Sequence, residues 1–208
     1  MSTYKTNHET LWAGEFGDQY TERNANAPIA SNLALFSKAL ARCAQPASCI
    51  EFGANIGLNL QALRLLFPDQ EQHAIEINKT AVNEMRKLIP GVTIYETSIL
   101  EYMVTRTFDL VLTKGVLVLV DPASLPKTYD LLHAVTGHYL LVAEYYNPFP
   151  VDIPYRGHAT LLSKRDFAGE IMDRHRDLRL ADYGFVYRRD PSFPLDDVTW
   201  FLLEKSGG

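Results

Sequence analysis

The 208-residue chain has few of the residues and segments that mark metal-binding, membrane or secreted proteins. Its two cysteines, Cys43 and Cys49, stand at no metal-ligand spacing and are predicted to be small buried side chains. Its six histidines form no H-x-x-x-H pair. The longest apolar runs, such as residues 116–120, are far shorter than the roughly 20 residues of a membrane span. We therefore expect neither a metal site nor a membrane partner.

Charge and length narrow the class of protein further. The formal net charge is −5 and no cluster of lysine or arginine occurs, which argues against a nucleic-acid partner. Residues 1–7 are polar and lack the apolar segment of a secretory signal, so we expect a cytoplasmic protein. The chain is long enough for one well-buried unit and too short for two independent ones. A monomer or homodimer that acts on a small molecule fits these bounds.

The order of the predicted elements indicates an α/β fold. Two helices are predicted at residues 6–24 and 29–43, and they form an N-terminal helical cap within residues 1–45. Strands and helices alternate from about residue 47 to 145, which predicts a mostly parallel sheet in the compact unit of residues 46–208. The remaining predicted elements are a loop over residues 145–162, a helix from Ser163 through Met172, and a closing hairpin with strands at about 183–189 and 197–204.

The most informative segment is a glycine-containing loop between the first predicted strand and the following helix. The apolar residues 47–50 are followed by Glu51, and then by Gly53, Asn55 and Gly57 at alternate positions. Gly53 permits a tight turn, and Gly57 is predicted to let a ligand approach the backbone. The spacing E-x-G-x-N-x-G differs from the dinucleotide fingerprint G-x-G-x-x-G. It resembles motif I of class I S-adenosylmethionine (SAM) enzymes, in which this loop holds the amino-acid end of SAM; an ordinary βα turn is the alternative.

Polar residues follow the next three predicted strands, and ligands of parallel sheets bind at these carboxyl ends. Glu76, with Ile77 after it, ends the second strand, where a carboxylate can accept the two ribose hydroxyls of a nucleoside; capping of the next helix is the alternative. Ser98 and Ile99 follow the third strand, and the resemblance to the SAM fold implies that they read adenine. Thr113 ends the fourth strand. These features in this order predict a SAM site.

Further motifs resemble those of the pseudaminic acid biosynthesis-associated methylases, over residues 11–205. The fold implied is the Rossmann-like class I SAM-methyltransferase fold, with a mostly parallel seven-stranded sheet, a C-terminal antiparallel hairpin and an N-terminal helical cap. The cofactor implied is SAM, as substrate or methyl donor, without a metal. The motifs are the segments 12–24, 113–117, 143–148, 155–158, 164–170, 182–187 and 196–205.

Two positions depart from this family pattern. Leu119 stands where the family carries a histidine, and Phe149 stands where it carries a small polar residue. Each change replaces a polar group beside the predicted site with an apolar one. A methyltransferase that acts on a hydroxyl or amine usually needs a positioned base. One interpretation is neutral drift or a change of acceptor. The other is that SAM is the whole substrate, as in azetidine-2-carboxylate synthases, which a subset of this family resembles.

Three hypotheses therefore stand. In the first, the α-amine of SAM attacks its own Cγ and yields azetidine-2-carboxylate and methylthioadenosine, a reaction that depends mainly on orientation in a tight apolar cavity. The second is a methyltransferase acting on a sugar or another small polar metabolite, and the third is a non-catalytic SAM-binding protein.

Several aromatic side chains are expected near the reacting groups, where they could contact the sulfonium: Tyr20, Tyr145, Tyr146, Phe149 and Tyr155. Candidates for polar roles are Arg23 on the SAM carboxylate, Asn147 and Arg156 as orienting groups, and His158 as a substitute base.

Overall fold

A computed structural model describes residues 4–25, 27 and 29–207, apart from the side chains of residues 158–160. Its main sheet has seven strands in the spatial order β3-β2-β1-β4-β5-β9-β8. The first five run parallel to one another, whereas β9 is antiparallel to both of its neighbours. The strands of this sheet are β1 (Ser48–Phe52), β2 (Glu71–Glu76), β3 (Thr93–Glu96), β4 (Phe108–Lys114), β5 (Thr136–Glu144), β8 (Leu178–Val186) and β9 (Val198–Lys205).

Helices cover both faces of this sheet and bury two hydrophobic clusters. One cluster packs β1, β4 and β5 against helices on one face through residues such as Phe36, Leu63 and Met85. The other cluster lies on the opposite face and includes Leu132 and Phe167. The predicted α/β fold with a closing antiparallel hairpin is confirmed. The helices are α1 (Asn7–Ala13), α2 (Glu15–Asn24), α3 (Ile29–Ala39), α4 (Leu58–Leu66), α5 (Lys79–Leu88), α6 (Leu125–Val135) and α7 (Phe167–Arg174).

The boundaries of the N-terminal helices differ from the prediction. The predicted helix at 6–24 is two helices, because Gly14 adopts an extended conformation (φ −105°, ψ −157°) and ends α1 as it begins α2. Thr6 and Glu9 form a reciprocal capping box at the start of α1. The second predicted helix ends at Ala39, four residues before the expected end.

The segment 145–162, predicted as a loop, contains most of a second β-hairpin. Its strands are β6 (Val151–Tyr155) and β7 (His158–Lys164). Arg156 (φ 48°) and Gly157 (φ 87°) form the two-residue turn, which requires positive φ at both positions. Pro154 within β6 argues against a strand, but a two-stranded sheet consists only of edge strands, where proline is tolerated.

Two further element boundaries differ from their predictions. Ser163 and Lys164 belong to strand β7 instead of starting the following helix. That helix is α7, and its N-cap is Asp166, whose side chain accepts a hydrogen bond from the Gly169 N–H at 2.9 Å. Strand β8 begins at Leu178, about five residues before the prediction.

Gly57, where the motif predicts close approach of a ligand, has a packing role in the structure. Its φ is +79°, and it is the N-cap of α4. A Cβ atom at this position would lie 2.4 Å from Ile89 Cδ1 and 3.0 Å from Met85 Cγ. Because Met85 and Ile89 are buried residues of the core, the glycine permits the β1–α4 turn to pack on α5.

We expect Gly57→Ala to lower the free energy of unfolding by about 2–4 kcal/mol, through left-handed backbone strain and overpacking together. Gly91→Ala is the matched control, because Gly91 has a similar φ of +84° and nothing lies within 4 Å of its added Cβ. The control isolates the backbone cost of roughly 1–2 kcal/mol. Urea denaturation of both variants measures the difference, and equal losses would contradict the packing role.

Candidate active site

A cavity of about 400 Å³ lies at the carboxyl edge of the parallel strands. Its floor is the loop between β1 and α4 together with the residues that follow β2, β3 and β4, and helices α1 and α2 cover it. Residues just before β9 close one side. The lining residues include Glu9, Trp12, Tyr20, Asn32, Gly53, Asn55, Asn59, Glu76, Asn78, Ser98, Ile99, Lys114, Leu119, Leu195 and Asp196.

The loop that begins at Gly53 is fixed by hydrogen bonds to strand β2. The N–H groups of Gly53 and Ala54 both donate to the Ile75 carbonyl, at 2.9 and 3.1 Å. A Cβ on Gly53, whose φ is +68°, would lie 2.7 Å from a methyl group of Val116. Both the turn and the close approach of the β4 loop therefore require glycine here. Asn55 also has positive φ (49°), which asparagine tolerates better than most residues.

Glu76, the predicted ribose residue, is a buried carboxylate in the wall of this cavity. Its Oε2 accepts the Asn55 N–H and its Oε1 accepts the Asn78 N–H, both at 2.7 Å. Burial raises the pKa of Glu76, while these backbone donors act in the opposite direction. Asn78, and not Glu76, caps α5, through a bond from the Ala81 N–H at 2.8 Å. Because a carboxylate has about four acceptor positions, Glu76 keeps capacity for further donors.

Asn78 also fastens the N-terminal helices over the cavity. Its Nδ2 donates to the Trp12 carbonyl at 3.1 Å and to Asp18 Oδ1 at 3.0 Å. Gly17 lies against the same side chain: a Cβ there would come within 2.7 Å of Asn78 Nδ2 and 1.9 Å of the Trp12 carbonyl oxygen. Helices α1 and α2, which cover the cavity, are thus hydrogen-bonded directly to Asn78, two residues after Glu76.

The predicted adenine residue Ser98 makes a second contact with the cover. Its hydroxyl donates to Glu9 Oε1 and accepts the Leu100 N–H at 3.0 Å. Glu9 is buried and comes from α1, where its other oxygen accepts the Thr6 N–H at 2.8 Å. A ligand in this part of the cavity meets a serine whose hydroxyl is already engaged and a carboxylate beside it.

Glu51 and Asn59 form a buried polar pair behind the glycine loop. Asn59 Nδ2 donates to Glu51 Oε1 at 2.5 Å. Burial raises the pKa of Glu51 to about 8. Within the described part of the chain, Glu51 Oε2 and Asn59 Oδ1 have no hydrogen-bond donor, and the same is true of Asn32 Oδ1. Asn32 and Asn59 line the cavity through other atoms, since these two oxygens are themselves shielded from it.

The loop after β4 is held by the Glu144 carboxylate at the end of β5. Glu144 Oε1 accepts from the N–H groups of Val116 and Leu117, both at 3.0 Å, and from Thr113 Oγ1 at 3.1 Å. Burial raises the pKa of Glu144 to about 7, and these donors oppose the shift. Thr113, predicted to bind the cofactor, is fully buried, and its hydroxyl donates to Glu144.

A second cavity, of about 440 Å³, adjoins the first. The two share a boundary that includes Tyr20, Lys114, Leu119 and Asp196. Burial raises the pKa of Tyr20 to about 12, so its phenol stays neutral. Three cationic side chains and two further tyrosines line only the second cavity: Arg23, Arg156, Lys164, Tyr145 and Tyr155.

The structure brings together many of the predicted site residues but not all of them. Gly53, Asn55, Glu76, Ser98, Ile99, Tyr20 and Leu119 line the first cavity, and Arg23, Tyr155 and Arg156 line the second. The predicted residues Glu51, Gly57, Ile77 and Thr113 line neither cavity. The side chain of His158 lies outside the described residues.

Three predicted site residues lie on the segment that leaves β5, and it carries them away from both cavities. Phe149 is 74% exposed. Asn147 Nδ2 donates to the Phe149 carbonyl, and the Asn147 N–H donates to the Arg165 carbonyl at 3.4 Å. The Tyr146 ring packs against Phe201, with ring centroids 5.8 Å apart. The expectation that Phe149 lies beside the site is therefore not met.

The cavity also contains residues that the sequence interpretation left aside. Asp196 lines both cavities, and its Oδ2 accepts the Tyr145 hydroxyl at 2.9 Å. Its neighbour Asp197 accepts the Arg188 N–H at 3.0 Å. Glu9 stands in a T-x-x-E pattern that signals a helix start, but nothing in that pattern indicates its contact with Ser98.

Among the described residues, no three His, Cys, Asp or Glu side chains are grouped so that they could hold a metal ion. No helix in those ranges is both long and apolar enough to cross a membrane.

Comparison with known proteins identifies the fold. No protein-family model matches the chain, and no curated protein matches its sequence. Among solved structures, it is similar to 1,6-didemethyltoxoflavin-N1-methyltransferase of Burkholderia thailandensis, with TM-score 0.71, 16% identity, and 99% of this chain and 93% of that chain covered. It is also similar to the plantazolicin methyltransferase BpumL, with TM-score 0.68, 12% identity, and coverage of 95% and 94%. A third structure, the N-methyltransferase NodS of Bradyrhizobium japonicum, gives TM-score 0.66, 15% identity, and coverage of 90% and 97%. The chain therefore has the Rossmann-like fold of class I SAM-dependent methyltransferases.

We expect Asn78→Ser to loosen the cover without removing the helix cap, because serine also caps helices but lacks the amide that donates to Trp12 and Asp18. Loss of these two bonds costs about 1–2 kcal/mol, which corresponds to roughly tenfold faster opening. Limited proteolysis within residues 7–24, followed by mass spectrometry, measures this rate. Asn83→Ser is the control, since Asn83 is exposed on the same helix and its side chain accepts a local bond from Arg86. Equal cleavage of the two variants would refute the fastening role.

Proposed function

We propose that this protein binds SAM in the first cavity and cyclises it to azetidine-2-carboxylate and methylthioadenosine. Glu76 offers acceptor positions to the ribose hydroxyls, and Ser98 and Ile99 flank the adenine. Asn32 and Asn59 contribute polar side chains to the wall of the same cavity. The volume of about 400 Å³ is within the range of small-ligand sites. In support, the three similar structures described above were solved with S-adenosylhomocysteine.

The observation that carries the cyclisation is the position of Leu119. This apolar side chain lines both cavities, at the boundary where an acceptor would meet a methyl group. The family that the sequence resembles has a histidine there. A hydroxyl acceptor needs a positioned base during methyl transfer. Intramolecular attack needs a neutral amine and a folded aminobutyrate chain, so a wall that restricts conformation serves it better than a polar group.

The chain's own groups supply orientation and charge stabilisation for this reaction. SAM contributes a sulfonium leaving group, which makes Cγ reactive toward a nitrogen nucleophile. The neutral Tyr20 ring lies at the boundary of the cavities, where its face can hold a sulfonium by cation–π attraction of about 1–2 kcal/mol. Trp12 packs edge-on against Tyr20 at 5.3 Å and fixes the ring. The covering helices α1 and α2 limit access of water.

Methyl transfer to an acidic small molecule is the second candidate, and the second cavity favours it. The cations Arg23, Arg156 and Lys164 line this cavity with Asp196 as the only described carboxylate in its wall. A sugar acid or a similar carboxylate would find charge complementarity there. This function requires an acceptor and releases S-adenosylhomocysteine.

Incubation of the purified protein with SAM alone separates these functions. We expect methylthioadenosine and azetidine-2-carboxylate in equal amounts, formed faster than without enzyme, with mass spectrometry as the measurement. SAM that stays intact while bound would reject the cyclase and leave a methyltransferase that lacks its acceptor or a non-catalytic binder. Addition of acidic sugars then distinguishes those two by release of S-adenosylhomocysteine.

Leu119→His tests the apolar boundary directly. We expect it to slow ring formation by about tenfold or more, because a polar, differently shaped group relaxes the folded conformer of the substrate. Phe149→Thr restores the family's other polar position but lies outside both cavities, so its rate should equal that of the wild type. A Phe149→Thr effect as large as that of Leu119→His would overturn this view of the boundary.

A further inference from the structure

Five aromatic side chains form a continuous face on the last two strands of the main sheet. Tyr183, Phe185 and Tyr187 stand at alternate positions along β8 and just after it, so they lie on one side of the sheet. The Tyr183 ring stacks on Phe201 with centroids 6.4 Å apart, and Phe201 also contacts Tyr146 at 5.8 Å. Phe185 contacts Tyr187 at 6.2 Å. These five residues are named the aromatic face below.

The aromatic face is open because the helix layer on this side of the sheet ends before it. Leu178 and Tyr183 lie on the same side, since they pair with Lys205 and Phe201, which are an even number of residues apart on β9. Leu178 is buried in one cluster with Ile171 of α7. Phe201 is half-buried, whereas the other four residues of the aromatic face are 42% to 65% exposed.

The exposed rings have the area that the centre of a dimer contact needs. Full burial of a Phe or Tyr side chain removes about 150–250 Å² from water, so the four exposed rings offer roughly 400 Å² on each copy. Two such faces packed together bury roughly 800 Å², about half of a standard protein–protein interface. Leu180, exposed on the same side of β8, adds to this area.

The aromatic face is uncharged, although the chain as a whole is acidic. Two copies that each carry a net charge of −5 repel one another, and the repulsion is weakest where the contacting surfaces bear no charge. Asp182 is the one charged residue between Leu180 and Tyr187, and it faces the other side of the sheet, 4.0 Å from Arg42. Interface cores are likewise rich in aromatic residues and poor in charged ones. A nucleic acid or an anionic membrane would need a cationic surface instead.

We propose that the aromatic face packs against the same face of a second copy of this chain, in a homodimer with two-fold symmetry. Such a contact is self-complementary, so it needs no second surface, and it stops at two copies because both faces are used. The two sheets stack about 10 Å apart, with the rings of both copies between them. The inference is independent of the proposed function, since the aromatic face lines neither cavity.

Sedimentation velocity at micromolar concentrations of the full chain tests the dimer. We expect the wild type to sediment with twice the 23.5 kDa mass of one chain. Tyr183→Lys combined with Phe185→Lys should raise the dissociation constant of the dimer by about 100-fold or more, because it places like charges against one another at the centre of the contact.

Leu65→Lys combined with Met103→Lys is the matched control. Both residues are exposed and apolar, but Leu65 lies on α4 and Met103 follows β3, at the opposite edge of the sheet from β8. The control adds the same charge and should leave the dimer intact. Circular dichroism of the two double variants should agree, which ties any difference in mass to the contact and not to loss of the fold.

Cysteine cross-linking provides a second test that introduces no charge. Residues near a two-fold axis meet their own copies, and a disulfide forms when the two Cα atoms are about 4.4–6.8 Å apart. We prepare Tyr183→Cys, Phe185→Cys and Tyr187→Cys separately, and we expect at least one of them to form covalent dimers on mild oxidation faster than Met103→Cys. The unsubstituted chain gives the background from its two native cysteines, one buried and one half-buried.

Three results would overturn the inference. One is a wild-type chain that stays monomeric at every concentration. Another is a dimer that the Tyr183→Lys and Phe185→Lys double variant does not weaken, because that dimer would use a different surface. The third is cross-linking no faster than that of Met103→Cys at all three positions of the aromatic face, a result that holds even if the double variant is too unstable to measure.

Discussion

The rest of the site depends on how the carboxylate of Glu76 is held. One oxygen accepts the Asn55 N–H and the other the Asn78 N–H, so a single buried group joins the glycine loop to the start of α5. Asn78 extends the connection to α1 and α2 through the Trp12 carbonyl and Asp18. A charged group without such donors would be costly to bury, and the donors would be unpaired without it. The loop, the helix start and the cover therefore form one hydrogen-bonded unit.

Parallel sheets concentrate polar groups at the carboxyl edge of their strands. In this protein the buried ionisable groups at that edge differ in the partners that surround them. The Glu76 and Glu144 carboxylates are met by backbone N–H groups, which need no counter-ion. Glu51 has a single neutral donor, and burial raises its pKa to about 8. Lys114 has no close carboxylate among the described residues. The edge thus offers both fixed acceptors for ligand hydroxyls and an amine whose protonation depends on its surroundings.

Sequence predicted the parts of this arrangement that local rules govern. The glycine loop, the carboxylate after β2 and the order of the strands follow from spacing and alternation. The contact between Glu9 and Ser98 joins residues that are far apart in the chain, so no local pattern reveals it. Phe149 was misplaced because its neighbours form an edge hairpin despite Pro154. Gly57 has the conformation that its motif requires, yet the reason is the packing of Ile89 and Met85.

The walls of the first cavity come from both ends of the chain. Residues of α1 and α2 cover it, and residues 194–196, just before the last strand, close one side. The pocket itself is complete only when β9 has been inserted between β5 and β8. Because residues 194–196 belong to the wall, ligand binding reports that the last strand is in place.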